Sequence, residues 1–392
     1  MPCILKIPNK QTKGIVTFTT VERDHCIINN SKIENELKEL KKNWLIGIHH
    51  NWHDYNFHYN SLFDFHLAGK DDLIEQNNLS FFNSDIDCCN FPPENFLFNN
   101  SNKHWDLLCV ARPAFFKRID KFYSIIRELY NKKNYIRILL ICWESKKLLI
   151  KEHTNFNNYR EIYLKKFSNH ERKYFNLISL ANDSPLDMQT LSFFYKFSKV
   201  YIHTSDCERR SRTTSYALKA GMPVICMKDI ASIVPRNLQK KPYMYLARSY
   251  NDFSSLIIKS INFANSKYYT NTRMKKIISF FSYKKNSLKL INFFQKLDKK
   301  YSKKDLRTFN LNNLDYRLGV SYISNRYNNI DSFLNYLKNQ PYIKLKKDSK
   351  AAFFEKEIER YKLFYSKKTY PRGVLVKNIK SYIVRIAKYI LS

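Results

Sequence analysis

Val200-Tyr-Ile-His203-Thr-Ser205-Asp-Cys-Glu208-Arg-Arg-Ser-Arg212-Thr-Thr-Ser-Tyr216-Ala-Leu-Lys-Ala-Gly221-Met-Pro223-Val-Ile225-Cys-Met227 reads as strand, loop, helix and strand in one run. The apolar run ends near His203 in a polar loop. A helix begins near Thr213, where Ser211 or Thr213 can cap it. Gly221 suits a left-handed helix C-terminus, and Pro223 stops the helix before the next strand. The helix N-terminus therefore lies at the strand-end face beside Arg209, Arg210 and Arg212. Open backbone N–H groups, the helix dipole and guanidinium groups together make a phosphate site. An ordinary βαβ crossover with a basic loop would look the same, since fold does not imply function.

The pattern extends outward from this run. Apolar stretches recur at Leu107–Ala111, Ile136–Cys142, Phe175–Leu180, Val200–His203, Pro223–Met227 and Tyr243–Ala247. Helical patterns separate most of them: Ile119–Tyr130, Tyr159–Phe167, Asp187–Phe197, Thr213–Ala220 and Asn251–Phe263. Short, continuously apolar strands alternating with helices predict βαβ units and a parallel sheet buried on both faces. The packing solution is a right-handed, doubly wound α/β domain, which binds ligands beyond its C-terminal strand ends.

Before it, residues 1–100 mix short apolar runs with Asn-rich turns. Strands are predicted at Ile15–Thr20, Trp44–His49 and Leu62–Leu67, with a charged helix over Lys32–Lys42. Phe91-Pro92-Pro93 and Asn99–Asn102 read as a linker. After Lys267 the strand signal fades into basic helical patterns. In the last, Val376, Ile379, Ile383, Ile386 and Ile390 form an apolar stripe flanked by Lys377, Lys380 and Lys388. Three domains follow: 1–100, a reduced α/β domain; 101–265, Rossmann-like; 266–392, a basic helical extension.

The chain has 392 residues, 44% hydrophobic and 26% charged, so a packed core is expected and global disorder is not. No apolar run is long enough to span a membrane, and the first residues lack a secretory signal. The eight cysteines show no CxxC pairing and read as small core residues in a reducing, cytosolic interior. Net charge is +34, unevenly spread: −4 over residues 1–100, +16 over 101–260 and +22 over 261–392. Such an excess favours an anionic partner, whether a phosphorylated substrate, a membrane surface or nucleic acid. The tail has three readings: a helix packed on the body, an amphipathic helix on an anionic membrane, or a nucleic-acid binder.

A second segment carries chemistry. Leu107-Leu-Cys-Val-Ala-Arg112-Pro-Ala-Phe-Phe-Lys117-Arg118 places two cations five residues apart, just after the first strand of the second domain. Both can reach the same strand-end crevice, and two fixed cations suit a diphosphate. A solvated basic loop is the plainer reading.

Together these residues resemble the retaining GT-B glycosyltransferases of group 4 (glycosyl transferases group 1), over about residues 80–265. That family's C-terminal domain opens with a strand, then Gly-Arg, then Lys five residues on. Arg112 and Lys117 match, with Ala111 for the Gly. A Glu, seven residues, a second Glu and a Gly-x-Pro-Val strand follow. Glu208 and Gly221-Met-Pro223-Val match, while Tyr216 stands at the second Glu. The resemblance implies that Arg112 and Lys117 bind the diphosphate of a nucleotide-sugar donor and that Glu208 contacts the donor sugar. It places Tyr216 at the ribose, where it offers one hydrogen bond rather than a carboxylate. Arg212 stands in place of the family's Gly-rich loop and either takes over a phosphate contact or is a surface arginine. Thr213 begins the helix facing the donor.

The N-terminal part is shorter than the family's usual acceptor domain. Its Ile46-Gly-Ile-His49-His50-Asn-Trp-His53 run, with His58 and His66, admits polar loop or core histidines, or metal ligands. The resemblance adds a third reading, in which His50 faces the donor. Zincin spacing is absent. Asp64, Asp85 and Asp87 are candidate bases. Base recognition is expected from variable loops around Leu177–Pro185.

The expectation is a GT-B-like glycosyltransferase that moves a hexosyl group from a nucleoside diphosphate sugar to a glycan or lipid-linked acceptor, in cell-surface polysaccharide synthesis. Glu208 and His50 would be catalytic, and Arg112, Lys117, Arg212, Thr213 and Tyr216 donor-binding. With the cations and helix dipole stabilising the leaving group, no metal or further cofactor is called for. The location would be cytoplasmic, with peripheral contact at the inner membrane face left open. A non-catalytic nucleotide-sugar or glycan-binding relative is the alternative, and a basic nucleic-acid-binding protein ranks behind it.

Overall fold

In the computed structural model the described residues are 2–50, 60–69, 83–98, 102–143, 159–180, 186–299, 301, 308–319 and 330–339. The apolar stripe at Val376–Ile390, His53, His58 and most of the loop before Pro185 lie outside them.

The N-terminal sheet runs in chain order: β1 (Cys3–Lys6), β2 (Gly14–Thr19), β3 (Trp44–His49), β4 (Phe65–Leu67) and β5 (Asn83–Ser84). β1 is antiparallel to β2 and the other pairs are parallel. A turn of helix α1 (Thr20–Glu22), a π-helical turn (Arg23–Ile27) and α2 (Ser31–Leu40) join β2 to β3. Asn30 caps α2 by accepting from Ile33 N–H, and Ile33, Leu37 and Leu40 are its buried face. The strand expected from Leu62 begins only at Phe65. Asn60 turns the chain first, its side chain accepting from Leu62 N–H and its carbonyl from Phe63 N–H.

The second sheet follows the predicted alternation. Its elements are β6 (Trp105–Ala111), α3 (Ile119–Asn131), β7 (Ile138–Trp143), α4 (Tyr159–Lys166), α5 (Asn169–Arg172), β8 (Phe175–Leu180), α6 (Met188–Lys196), β9 (Ser198–His203), α7 (Arg212–Lys219), β10 (Val224–Met227), β11 (Met244–Ala247) and α8 (Phe253–Asn265). The spatial order is β11-β10-β9-β6-β7-β8, all parallel. Strand residues alternate between two cores. Leu107 and Cys109 join the layer with α3 and α8; Leu108 and Val110 join the one shared with α6 and α7. Burial on both faces explains why the inner strands read as unbroken apolar runs, while the edge strand β8 is buried only at Phe175.

Among the described residues four more helices follow: α9 (Asn271–Phe280), α10 (Tyr283–Leu297), α11 (Leu314–Arg317) and α12 (Ile330–Lys338). From α10 the chain returns to the N-terminal sheet. The Phe294 ring meets Phe65 edge-on, Tyr301 donates to the Lys13 carbonyl at 2.9 Å, and Asn310 N–H donates to the Leu5 carbonyl at 2.7 Å. α12 lies on α2, with Lys32 paired to Asp331 and Lys338 to Glu36. The linker prolines do not leave a free tether: Phe91 and Phe96 on either side are fully buried. Seven cysteines are buried and all eight are free thiols. Among the described residues no helix is long and apolar enough to cross a membrane.

Candidate active site

The strand order reverses between β6 and β9, and their C-terminal ends open the crevice where such sheets take ligands. The two loops that rise there carry Arg112–Arg118 and Thr204–Ser211. Three contacts tie them together. Lys117 pairs with the Glu208 carboxylate, Thr204 Oγ1 donates to the Lys117 carbonyl at 2.8 Å, and Arg118 donates to Asp206 at 2.9 Å. The loops are thus one braced unit.

Lys117 and Glu208 are 8% and 7% exposed, so their pair is nearly dry. Arg112 and Lys117 both sit over the ring of Phe116, 5.4 and 5.5 Å from its centroid. One ring thus braces both cations. Burial opposes ionisation of Glu208, but Lys117, His203 and Arg112 outweigh it and hold the carboxyl below its usual range. His203 Nε2 lies 3.4 Å from Glu208 Oε2. Burial lowers His203 to about 4, with Lys117 adding to that and Glu208 opposing it, so the imidazole is neutral at pH 7.

At α7 the N-cap residue is Ser211, but its hydroxyl pairs with Thr213 Oγ1 at 2.8 Å and caps no N–H. The first-turn N–H groups keep their partial positive charge uncompensated by a cap. Thr213 Oγ1 also accepts from Tyr201 at 2.8 Å, so this hydroxyl serves the sheet and leaves its backbone to the crevice. Gly221 takes the left-handed conformation expected of it, with φ of 71°.

Arg210 and Arg212 of this loop part company. Arg210 is buried and grips both oxygens of Asp87, at 2.5 and 2.9 Å, besides the Asn90 side chain and the Ser232 carbonyl. It is spent on that latch and withdrawn from the phosphate site read in the sequence. Arg212 donates to the Asp315 carbonyl at 3.3 Å. Tyr216, one turn further, stacks on Phe96 with centroids 4.4 Å apart and donates to Asp315 Oδ2 at 3.1 Å.

Other candidates sit elsewhere. His50 Nε2 is 2.9 Å from His66 Nδ1, and His49 Nδ1 is 2.9 Å from Thr17 Oγ1, both buried at the C-terminal end of β3. Asp64 is a structural group rather than a base: it accepts from Ile46 N–H and pairs with Lys41. Asp87 is held by Arg210, and Asp85 is exposed. Among the described residues, Asp87, Cys88 and Cys89 have metal-ligand types within reach of one another. The guanidinium already on that carboxylate opposes a cation there.

Sequence reading missed His203, Arg118 and Asp315. His203 had a signal, as the last strand residue before Glu208. Asp315 had none, being 99 residues from its partner Tyr216.

No family model and no curated protein matches this sequence. Solved structures do. The crystal structure of TarM aligns over 73% of this chain and 56% of its own length, with a TM-score of 0.51 at 15% identity. The apo structure of OtsA aligns over 68% and 70%, with 0.48 at 12% identity. The pneumococcal O-GlcNAc transferase GtfA, solved with UDP and GlcNAc, aligns over 67% and 54%, with 0.44 at 12% identity. The chain thus matches little more than half the length of TarM and of GtfA. With two α/β sheets, the second doubly wound, and a chain that returns from the second to the first, this protein has the GT-B glycosyltransferase fold, far diverged in sequence.

Proposed function

We propose that this protein is a glycosyltransferase that moves a hexosyl group from a nucleoside diphosphate sugar to a hydroxyl of a glycan or lipid-linked acceptor in cell-surface polysaccharide synthesis. The observation that carries the reading is the buried Lys117–Glu208 pair at the strand-order reversal, with Arg112 over the same aromatic ring and the uncapped α7 N-terminus beside it. A donor diphosphate offers Lys117 a second acceptor. Lys117, Arg112 and the α7 N–H groups then stabilise the charge that grows on the leaving diphosphate. Glu208, kept ionised, accepts hydrogen bonds from the sugar hydroxyls and orients the ring. His50, on the N-terminal side, is the candidate to meet the donor from the acceptor side.

The test replaces Arg112 and Lys117 with Ala and measures nucleoside diphosphate affinity by calorimetry. Two lost charge-assisted contacts predict a drop of about 100-fold. Unchanged affinity in the double variant overturns the site.

One observation favours a second reading. Tyr216, stacked on Phe96 and bonded to Asp315, is 5% exposed and brings no charge of its own to the crevice. A relative that binds nucleotide sugars without turnover would tolerate this. Transfer and donor-hydrolysis assays across a donor panel separate the two. Binding without turnover supports the second.

A further inference from the structure

The outer side of α9 and α10 carries one sign of charge. From Phe253 to Leu297 the chain has nine Lys or Arg, eight of them Lys, and no Asp or Glu. The inner side of the two helices is apolar: Met274, Ile277, Phe281, Leu290, Ile291 and Phe294 are fully buried. Their packing at three- and four-residue steps decides which side chains turn outward. Those are Arg273, Lys275 and Lys276 on α9 and Lys284, Lys285 and Lys289 on α10, all exposed.

Contacts join these cations into one band. Just before α9, Tyr268 is 57% exposed, with Lys267 and Arg273 over its ring at 5.7 and 5.5 Å from the centroid. Tyr243 donates to the Arg273 carbonyl at 3.3 Å, which brings the exposed Lys240 and Lys241 beside the start of α9. At the other end Lys285 donates to Ser279 Oγ, and Lys289 lies 5.5 Å from the centroid of Phe280. The first turns of α10 therefore flank the last turn of α9. Glu94 reaches this neighbourhood but is neutralised by Lys219, whose ammonium also donates to the Phe281 carbonyl at 3.1 Å. Lys219 ends α7, so the band lies at the end of that helix opposite the crevice.

Like charges gathered this closely repel one another, and an anionic partner offsets that repulsion. The residue types narrow the partner. Arginine forks grip individual phosphates and base edges, whereas lysine is a point charge on a flexible stem. A band in which Lys outnumbers Arg suits a surface of many loosely placed negative charges more than a nucleic acid read contact by contact. Tyr268 adds an apolar ring with a polar tip, the kind of side chain that settles where water meets lipid. We propose that the α9–α10 band is a docking surface for an anionic lipid bilayer. The proposal stands apart from the donor reading, because no residue of the crevice takes part in it.

The experiment is flotation of the full chain with vesicles of phosphatidylcholine alone and of phosphatidylcholine mixed with phosphatidylglycerol, at low and high salt. Wild-type protein is expected to float with the anionic vesicles only and to be released by salt. The combined variant Lys276→Gln, Lys284→Gln, Lys285→Gln and Lys289→Gln is expected to lower partition into anionic vesicles by about 100-fold or more, as four lysines at a charged surface predict. Lys38→Gln, Lys133→Gln, Lys173→Gln and Lys259→Gln together remove the same charge from exposed positions on other elements. That control is expected to lower partition by less than about tenfold, because screening limits distant charges. Nucleoside diphosphate affinity of the band variant should equal wild type, which keeps this proposal separable from the donor site. Equal losses in the two combined variants overturn the proposal, since net charge and not the band then sets the affinity. Flotation of wild type with neutral vesicles as well, or with neither kind, overturns it too. So does binding of a single-stranded DNA oligomer that the band variant loses while anionic vesicles leave wild type in solution, an outcome that assigns the band to nucleic acid.

Discussion

Lys117 and Glu208, 91 residues apart in the chain, form a buried ion pair that bridges the two loops at the strand-order reversal. The loop after β6 carries Phe115 and Phe116 among its cations, the loop after β9 is polar, and the strands beneath are buried except at Lys199. The ammonium and carboxylate are therefore brought together by the rigid sheet rather than by local sequence.

Breaking this pair from one side leaves an uncompensated charge in a dry site. Lys117→Ala is expected to lower unfolding free energy by about 3–5 kcal/mol. The double variant Lys117→Met with Glu208→Leu is expected to recover most of that loss, since paired apolar groups need no desolvation partner. Urea titrations of the variants check both. A Lys117→Ala midpoint equal to wild type contradicts the burial of the pair.

Acid should destabilise the fold through its histidines. Burial lowers His203 to about 4 and, with the Arg23 charge nearby, His66 to about 4. Both lie below the ordinary 6.5, so the unfolded chain takes up the protons first. Their contribution is complete above pH 6.5 and is lost as pH falls toward 4, at up to about 1.4 kcal/mol per pH unit for each. Asp315 acts with the opposite sign. Burial raises it to about 6, so its stabilising effect is full below pH 4 and disappears as pH rises through 6. Melting temperatures from pH 4 to 8 should therefore fall on the acid side. The difference between Asp315→Asn and wild type should move in the variant's favour as pH rises from 4 to above 6.

The second sheet was legible because strands buried on both faces must be continuously apolar. The helix stop at Gly221 was legible because few other residues take a positive φ there. The N-terminal edge was harder. β1 contains Lys6, whose ammonium is hidden by Thr12 and the Ile7 carbonyl, and β5 is two residues long; neither gives a period-two pattern. At the site, the spacing of Arg112 and Lys117 and the position of Glu208 could be read, since strand ends and helix starts place them. The direction of Arg210 could not. It is set by Asp87, 123 residues earlier in the chain, and Asp315 is likewise placed by a chain return that no local pattern encodes.

Gly221 should tolerate no side chain. Its φ is 71°, and a Cβ there would meet the Phe98 ring at 2.4 Å. Gly221→Ala combines left-handed strain with that clash and is expected to cost about 2 kcal/mol or more. Thermal and chemical unfolding measure the loss. A variant as stable as wild type would show that Phe98 moves freely, which its edge contact with Tyr269 opposes.

Arg210 and Arg112 should separate stability from binding. Arg210 is wholly buried, and its fork spans Asp87, Asn90 and Ser232, which joins the Glu208 loop to the segment leading out of the N-terminal sheet. Lysine supplies the charge without the fork, so Arg210→Lys strands part of the Asp87 carboxylate and is expected to cost about 3 kcal/mol. Because this guanidinium faces the latch, nucleoside diphosphate affinity of the folded variant should stay within about threefold of wild type. Arg112→Ala should do the reverse, leaving the unfolding midpoint near wild type while affinity drops about tenfold or more, the loss of one charge-assisted contact. Paired urea titrations and calorimetry on the two variants give four numbers. If Arg210→Lys weakens diphosphate binding as much as Arg112→Ala does, Arg210 belongs to the phosphate site after all, and the division of labour among the loop arginines is wrong.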